Sequence, residues 1–259
     1  MKIGFFDSGV GGLTVLQQAL QTLPEEEYIY YADTDHVPYG TKPKEEIIRY
    51  VDEAVDFLVG KGVKAVVIAC NTATSVAIEY IREKYKLPIL GMEPAVKPAV
   101  QKCPDKRVLI AATPLTIRED KLKNLLKQVD GEHKTDLLAL PDLVLFAEAG
   151  CFDRPEVGEY LKRELSAFEL KNYSNFVLGC THFNYFKDTL RSLLPDRIEF
   201  IDGISGTINH LKVILERNGP IKKESLRVEY YISGKLVTET EKLKFFDGLL
   251  KRAEAMARY

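Results

Sequence analysis

The sequence has little cysteine: four thiols in 259 residues, Cys70, Cys103, Cys151 and Cys180, at long, irregular spacings and with no Cys-x-x-Cys. That spacing argues against a disulfide framework and the missing pair motif against a structural zinc site, so free thiols are expected. No apolar stretch approaches the roughly 18 residues of a membrane span. The run after Met1-Lys2, Ile3-Gly4-Phe5-Phe6, is too short for a secretory leader, and the expected location is the cytoplasm. Charge of one sign is also lacking: 36 Lys and Arg stand against 38 Asp and Glu, interspersed along the chain. With no basic stripe and no polybasic cluster, neither nucleic acid nor a membrane surface is an expected partner, and a small molecule is. Low-complexity stretches and flexible linkers are absent as well. Any two domains should therefore pack closely and could enclose a cleft.

Short apolar runs alternate with longer amphipathic stretches, the pattern of an α/β fold with mainly parallel sheets and helices on both faces. The spacing predicts strands over 2–6, 27–32, 64–69, 88–91, 107–112, 135–139, 174–179, 197–201 and 227–232. Helical patterns fall at 12–22, 43–60, 73–85, 116–129, 155–168, 183–193, 205–218 and 239–257. The segment Glu93-Pro94-Ala95-Val96-Lys97-Pro98 interrupts the alternation, which restarts at Arg107, and is the expected domain crossover. The length fits one large α/β unit or two smaller domains.

In such sheets ligands bind beyond the carboxyl ends of the strands. Cys70 and Cys180 both sit at such ends, in Ala-Val-Val-Ile-Ala-Cys70-Asn-Thr and Asn-Phe-Val-Leu-Gly-Cys180-Thr-His182. A single strand cysteine is most often a small buried hydrophobe. Two at matching ends suggest two thiols delivered to one site, able to take a proton from one face of a carbon and return one to the other. Cys103 and Cys151 lack that setting and are assigned to structure or surface.

A thiol with the ordinary pKa of about 8.5 is only a few per cent ionised at neutral pH, so a catalytic cysteine needs a base or a favourable field. His182 is available to Cys180, Asp7 to Cys70 from a neighbouring strand end, and Glu148 is a further acid near a helix end. Asp7-Ser8-Gly9-Val10-Gly11-Gly12-Leu13 follows the first strand. It is neither a dinucleotide fingerprint nor a Walker loop. Its glycines and the next helix N-terminus suit close approach of an anionic ligand, or a plain tight turn capped by Asp7 or Ser8. Asp33-Thr34-Asp35-His36-Val37-Pro38-Tyr39-Gly40 reads first as a turn, whose backbone and tyrosine donors could also hold a carboxylate.

Together, Asp7-Ser8-Gly-Val-Gly-Gly-Leu, Val37-Pro38-Tyr39-Gly40-Thr41-Lys42, Ala69-Cys70-Asn71-Thr72-Ala73 and Leu178-Gly179-Cys180-Thr181-His182 closely resemble the glutamate racemase family, in order and over essentially the whole chain. The resemblance implies an enzyme that needs no cofactor and no metal, interconverts L- and D-glutamate, supplies D-glutamate for bacterial peptidoglycan and forms a homodimer. It further implies two flavodoxin-like α/β domains related by pseudo-twofold symmetry, with the active site between them. Residues 1–97 would join 207–259 in the first, and 98–206 would form the second. Carried over by motif, Cys70 works on the D-enantiomer and Cys180 on the L-enantiomer, supported by Asp7, His182 and Glu148. Ser8, Pro38, Tyr39, Gly40, Asn71, Thr72, Thr113 and Thr181, with Asp7 and His182, match substrate-binding positions.

The chain departs from the family in places. Phe183-Asn184-Tyr185 stands where Tyr-Pro-Leu is common, Leu140-Pro141 where Cys-Pro is, and Asp202-Gly203-Ile204-Ser205 differs from the more frequent Asp-Ser. The chain starts almost directly on its first strand, without the extension of some activator-dependent relatives, so independence of an activator is expected. Alternatives are a racemase for aspartate or a hydantoin, and a non-catalytic amino-acid-binding protein. A cysteine hydrolase would leave the second strand-end thiol unexplained.

Overall fold

A computed structural model describes residues 1–92, 94–102, 106–217 and 227–259. Glu93, Cys103 and the last residue of the helix expected at 205–218 lie outside the described residues. The fold is α/β, built on two flavodoxin-like sheets. Strands β1 (Ile3–Asp7), β2 (Glu27–Ala32), β3 (Ala65–Ile68) and β4 (Ile89–Gly91) lie in the order β2-β1-β3-β4, all parallel. Strands β5 (Arg107–Ala112), β6 (Thr135–Ala139), β7 (Tyr173–Leu178) and β8 (Glu199–Ile201) repeat that order as β6-β5-β7-β8, again parallel. Thus β5 corresponds to β1 and β7 to β3.

The first sheet takes its last strands from the C-terminus. Strand β9 (Arg227–Ile232) pairs parallel with β2, and β10 (Lys235–Leu236) runs antiparallel to β9. Their two-residue turn places Ser233 and Gly234 at φ 43° and 83°, the left-handed backbone that tight hairpins require. β10 was not expected from the sequence; two exposed residues leave no alternation to read. The central strands β1, β3 and β7 are buried along their whole length, as parallel strands covered on both faces must be.

The helices are α1 (Leu13–Thr22), α2 (Lys44–Gly60), α3 (Asn71–Lys84), α4 (Val96–Lys102), α5 (Pro114–Arg118), α6 (Asp120–Val129), α7 (Pro141–Glu148), α8 (Pro155–Leu165), α9 (Lys187–Leu193), α10 (Ile204–Arg217) and α11 (Thr240–Met256). Four stretches differ from the sequence reading. The single helix expected at 116–129 is two, because Thr113 caps a start at Pro114 and Glu119 is extended at φ −68°, ψ 142°. The crossover region contains α4, whose Pro98 sits in the first turn, where a backbone N–H has no helical partner to lose. Helix α7 was not expected. The stretch at 183–193 begins as a 3₁₀ turn, Thr181–Phe186, before α9.

Helices α10 and α11 pack against α1 on the first sheet. Phe5, Phe6, Tyr28 and Tyr30 of that sheet and Phe176, Phe183, Tyr185 and Phe186 of the second half are fully buried, each ring contributing about 2 to 3 kcal/mol through removal from water. Among the described residues no helix is long and apolar enough to cross a membrane.

Candidate active site

The parallel register puts the ends of β1 and β3 side by side, so Asp7, Ser8 and Cys70 emerge together. Cys70 caps α3 with its sulfur accepting from the Ala73 N–H at 3.4 Å, and its thiol donates to Ser8 Oγ at 3.6 Å. Burial, then the charge of Asp7, push the Cys70 thiol up to about 12 despite those two contacts, and a charge on Cys180 raises it further. Cys70 is therefore a protonated thiol at neutral pH. The expected Asp7 influence on it is electrostatic, with Ser8 as the hydrogen-bonding neighbour.

The corresponding end of β7 delivers Cys180, Thr181 and His182, all nearly inaccessible to solvent. His182 Nε2 lies 2.6 Å from Glu148 Oε1 and its Nδ1 3.7 Å from Cys180 Sγ. Burial opposes a charge on His182, but its hydrogen bonds to Cys180 and Glu148 outweigh that and hold the imidazole well above its usual range. Glu148 is the last residue of α7 and also accepts from the Val10 N–H at 2.8 Å. Thr181 closes the two halves together, its hydroxyl donating to Asp7 Oδ2 at 3.1 Å.

The glycine-rich turn has a more specific use than either sequence reading gave it. A methyl at Gly9 would overlap Glu148 Oε1, one at Gly11 would come within 2.5 Å of His182 Nδ1, and one at Gly12 within 2.6 Å of Asp7 Cβ. Gly9 and Gly11 let the first half approach the acid and base of the second, while Gly12 makes room for Asp7 within the first. The amide at the turn is aimed at a protein carboxylate, Glu148.

Asp7 is fully buried, accepts from the Gly9 N–H at 3.0 Å, and has its carboxyl pushed up to about 6 by burial, against the opposing charge of His182. It binds its proton more tightly folded than unfolded, so its contribution to stability is full below about pH 4 and lost as pH rises through about 6. Asp7→Asn keeps the shape, and the Thr181 hydroxyl can turn from donor to acceptor. The variant is expected to exceed wild type by on the order of 3 kcal/mol near pH 8, with the gap closing below about pH 4. Urea unfolding across pH measures this; a pH-independent gap would refute the burial cause.

The other expected binding residues fall into two groups. Thr72 and Thr113, from different halves, meet at 2.9 Å between hydroxyls, and Thr116 joins them at 3.2 and 3.0 Å. Asn71 is buried beside them and donates to the Met92 carbonyl at 3.3 Å. Gly40 lies so close to Thr113 that a Cβ would sit 2.6 Å from the Thr113 Cβ, and Pro38 follows a cis peptide in the same loop. The Tyr39 phenol does not serve as the free donor expected of it: it donates to Asp33 Oδ2 at 2.5 Å. The backbone of the loop remains available. The sequence reading missed Thr116 and Val10; for Thr116 the Thr-x-x-Thr spacing across a helix start was the available signal, while for a backbone donor there was none. Among the described residues no three His, Cys, Asp or Glu side chains gather as a metal set.

Two flavodoxin-like sheets with a buried cysteine beyond the carboxyl end of each corresponding strand define a class, the α/β racemases. The chain belongs to the Asp/Glu/Hydantoin racemase family, whose model matches residues 8–211. It is 50% identical to the glutamate racemase of Lachnospira eligens over 99% of each chain. It is 52% identical to that of Halothermothrix orenii, covering 97% of this chain and 99% of the relative. The solved Escherichia coli glutamate racemase, in complex with L-glutamate and the activator UDP-MurNAc-Ala, matches at a TM-score of 0.85 and 28% identity, over 97% of this chain and 95% of that one.

Proposed function

We propose that this chain racemises glutamate, without a cofactor, by proton transfer between Cys180 and Cys70, supplying D-glutamate for peptidoglycan. The observation that carries the reading is the placement of the two buried thiols at corresponding strand ends, each with its own acid partners. Glutamate as the substrate is supported by the names of the relatives. Cys180, as the thiolate, removes the α-proton of L-glutamate and becomes the thiol, while the His182 imidazolium, held by Glu148, faces the sulfur. The Cys70 thiol, protonated at neutral pH, gives its proton to the opposite face and leaves D-glutamate. Each such turnover leaves Cys180 as the thiol and Cys70 as the thiolate; before the next one Cys180 gives up a proton by way of His182 and Cys70 regains one by way of Asp7, and in the reverse direction the roles exchange.

The α-carbon is a very weak acid, and acid–base catalysis worth about 10² to 10⁴ needs help from donors aimed at the developing negative charge. Ser8, Asn71, Thr72, Thr113, Thr181 and the backbone N–H groups of Tyr39 and Gly40 supply such donors in this reading, with Pro38 shaping the loop. The thiols are each only 6% exposed, so substrate entry requires the halves to part, and reclosing excludes water. The halves move as domains of residues 1–97 with 207–259, and 98–206, a division supported by the two separate sheets.

Incubation of L-glutamate with the protein in D₂O, with chelator and no added cofactor, is expected to give D-glutamate deuterated at the α-carbon. Saturable binding without deuterium incorporation would instead mark an amino-acid-binding protein, and turnover of aspartate alone would move the substrate. The proposal places the enzyme in the cytoplasm as a homodimer; a monomer mass in sedimentation at micromolar concentration would remove the dimer from it.

A further inference from the structure

The segment after His182, Phe183-Asn184-Tyr185, is one of the places where the chain departs from the family pattern, and the chemistry above makes no use of it. Tyr185 is fully buried, and its phenol donates to the Val10 carbonyl at 2.9 Å. The N–H of that same Val10 donates to Glu148 Oε1, which in turn takes His182 Nε2. From the other half of the molecule, Tyr30 on β2 donates to the neighbouring Gly9 carbonyl at 2.7 Å. Two successive carbonyls of the turn are thus held by phenols from both sheets. The Val10 carbonyl also accepts from the Leu13 N–H at 3.2 Å at the start of α1, so the peptide planes on both sides of Val10 are held, and the first of them, Gly9–Val10, carries the N–H that meets Glu148.

Tyr185 is itself anchored. Arg252 Nε of α11 donates to its carbonyl at 3.0 Å and the same guanidinium pairs with Asp188 at 2.9 Å. Burial first, then the charges of Asp7 and Glu148, keep the phenol far from ionising, so it remains a donor.

We infer that Tyr185 is a positioning residue for the Cys180 half-reaction: by holding the Val10 carbonyl it fixes the peptide plane next to the one that carries the Val10 N–H, and with Tyr30, which holds that plane through the Gly9 carbonyl, it keeps Glu148 on His182 and so aligns His182 with the sulfur. The inference rests on the two-thiol reading. The charged or titratable groups that face His182 are Cys180, Glu148 and Asp7; Tyr185 acts on it only through the turn.

Tyr185→Phe removes one oxygen and leaves the ring. It is expected to lower kcat for L-glutamate about five- to tenfold with KM within about twofold. It is also expected to move the ¹⁵N imidazole resonances of His182 toward those of a neutral ring. His182 is one of four histidines and is assigned by the signal missing in His182→Asn. Tyr185→Leu, the residue common at this place in the family, should act likewise, and decides the matter if the Phe variant does not fold. Wild-type kcat in a folded variant overturns the inference. So does a fall in Tm with unchanged His182 resonances, which would assign Tyr185 to structure alone. If the wild-type protein does not turn over glutamate, the proposed function fails, and the imidazole resonances still decide the role of Tyr185.

Discussion

Cys70→Ser is expected to lower glutamate racemisation by about 10² to 10⁴ in both directions, the range that general acid–base catalysis supplies. A serine hydroxyl is nearly isosteric with the thiol and can still meet Ser8 and the Ala73 N–H, so the fold and glutamate binding should persist. What it cannot do is give up and take back a proton at the rate a thiol does. The buried environment that pushes the Cys70 thiol up to about 12 would make an alkoxide still harder to form. Kinetics from each enantiomer, with calorimetric binding of glutamate as the control, measure this. Full racemase activity in the folded variant would sink the two-thiol scheme.

Gly9→Ala should be nearly as damaging to turnover, for a steric reason. Its methyl would occupy the place of Glu148 Oε1, and the carboxylate can yield only by leaving Val10 or His182. Loss of about 10²-fold in kcat/KM is expected, with a stability cost of about 1 to 3 kcal/mol from overpacking. Gly158→Ala on α8 is the control. Nothing lies within 4 Å of a Cβ there, so activity should hold and stability rise by about 0.5 to 1 kcal/mol. If Gly9→Ala keeps wild-type kcat/KM, the close approach of turn and carboxylate is not needed for catalysis.

Much of the architecture was legible because parallel strands and amphipathic helices write different periods into the chain. The runs Ala65–Ile68 and Tyr173–Leu178 end just before Cys70 and Cys180, and the end of a buried strand is a place the sequence can name. Helix α7 was legible only in part: Glu148 was placed near a helix end, but Leu143-Val144-Leu145-Phe146-Ala147 is apolar on every face and carries no 3.6-residue period, and the start signals, Pro141 at the first position and Asp142 in the first turn, equally suit a loop. Helix α4 was hidden by Pro98, which reads as a breaker until its place in the first turn is known.

By itself the sequence determined which residues are the candidates for the chemistry, since thiols, acids and imidazole at strand ends are a matter of residue type and local pattern. Tertiary structure decided how they are tuned. The Asp7 carboxyl at about 6, the Cys70 thiol at about 12 and the raised His182 imidazole all depend on burial and on neighbours far along the chain, such as Thr181, 174 positions from Asp7. It also turned the Tyr39 phenol to Asp33 and gave the glycine turn a protein carboxylate, Glu148, to face. Such through-space contacts leave no period in the chain, because electrostatics and close packing act over distance in the folded molecule and not along the sequence.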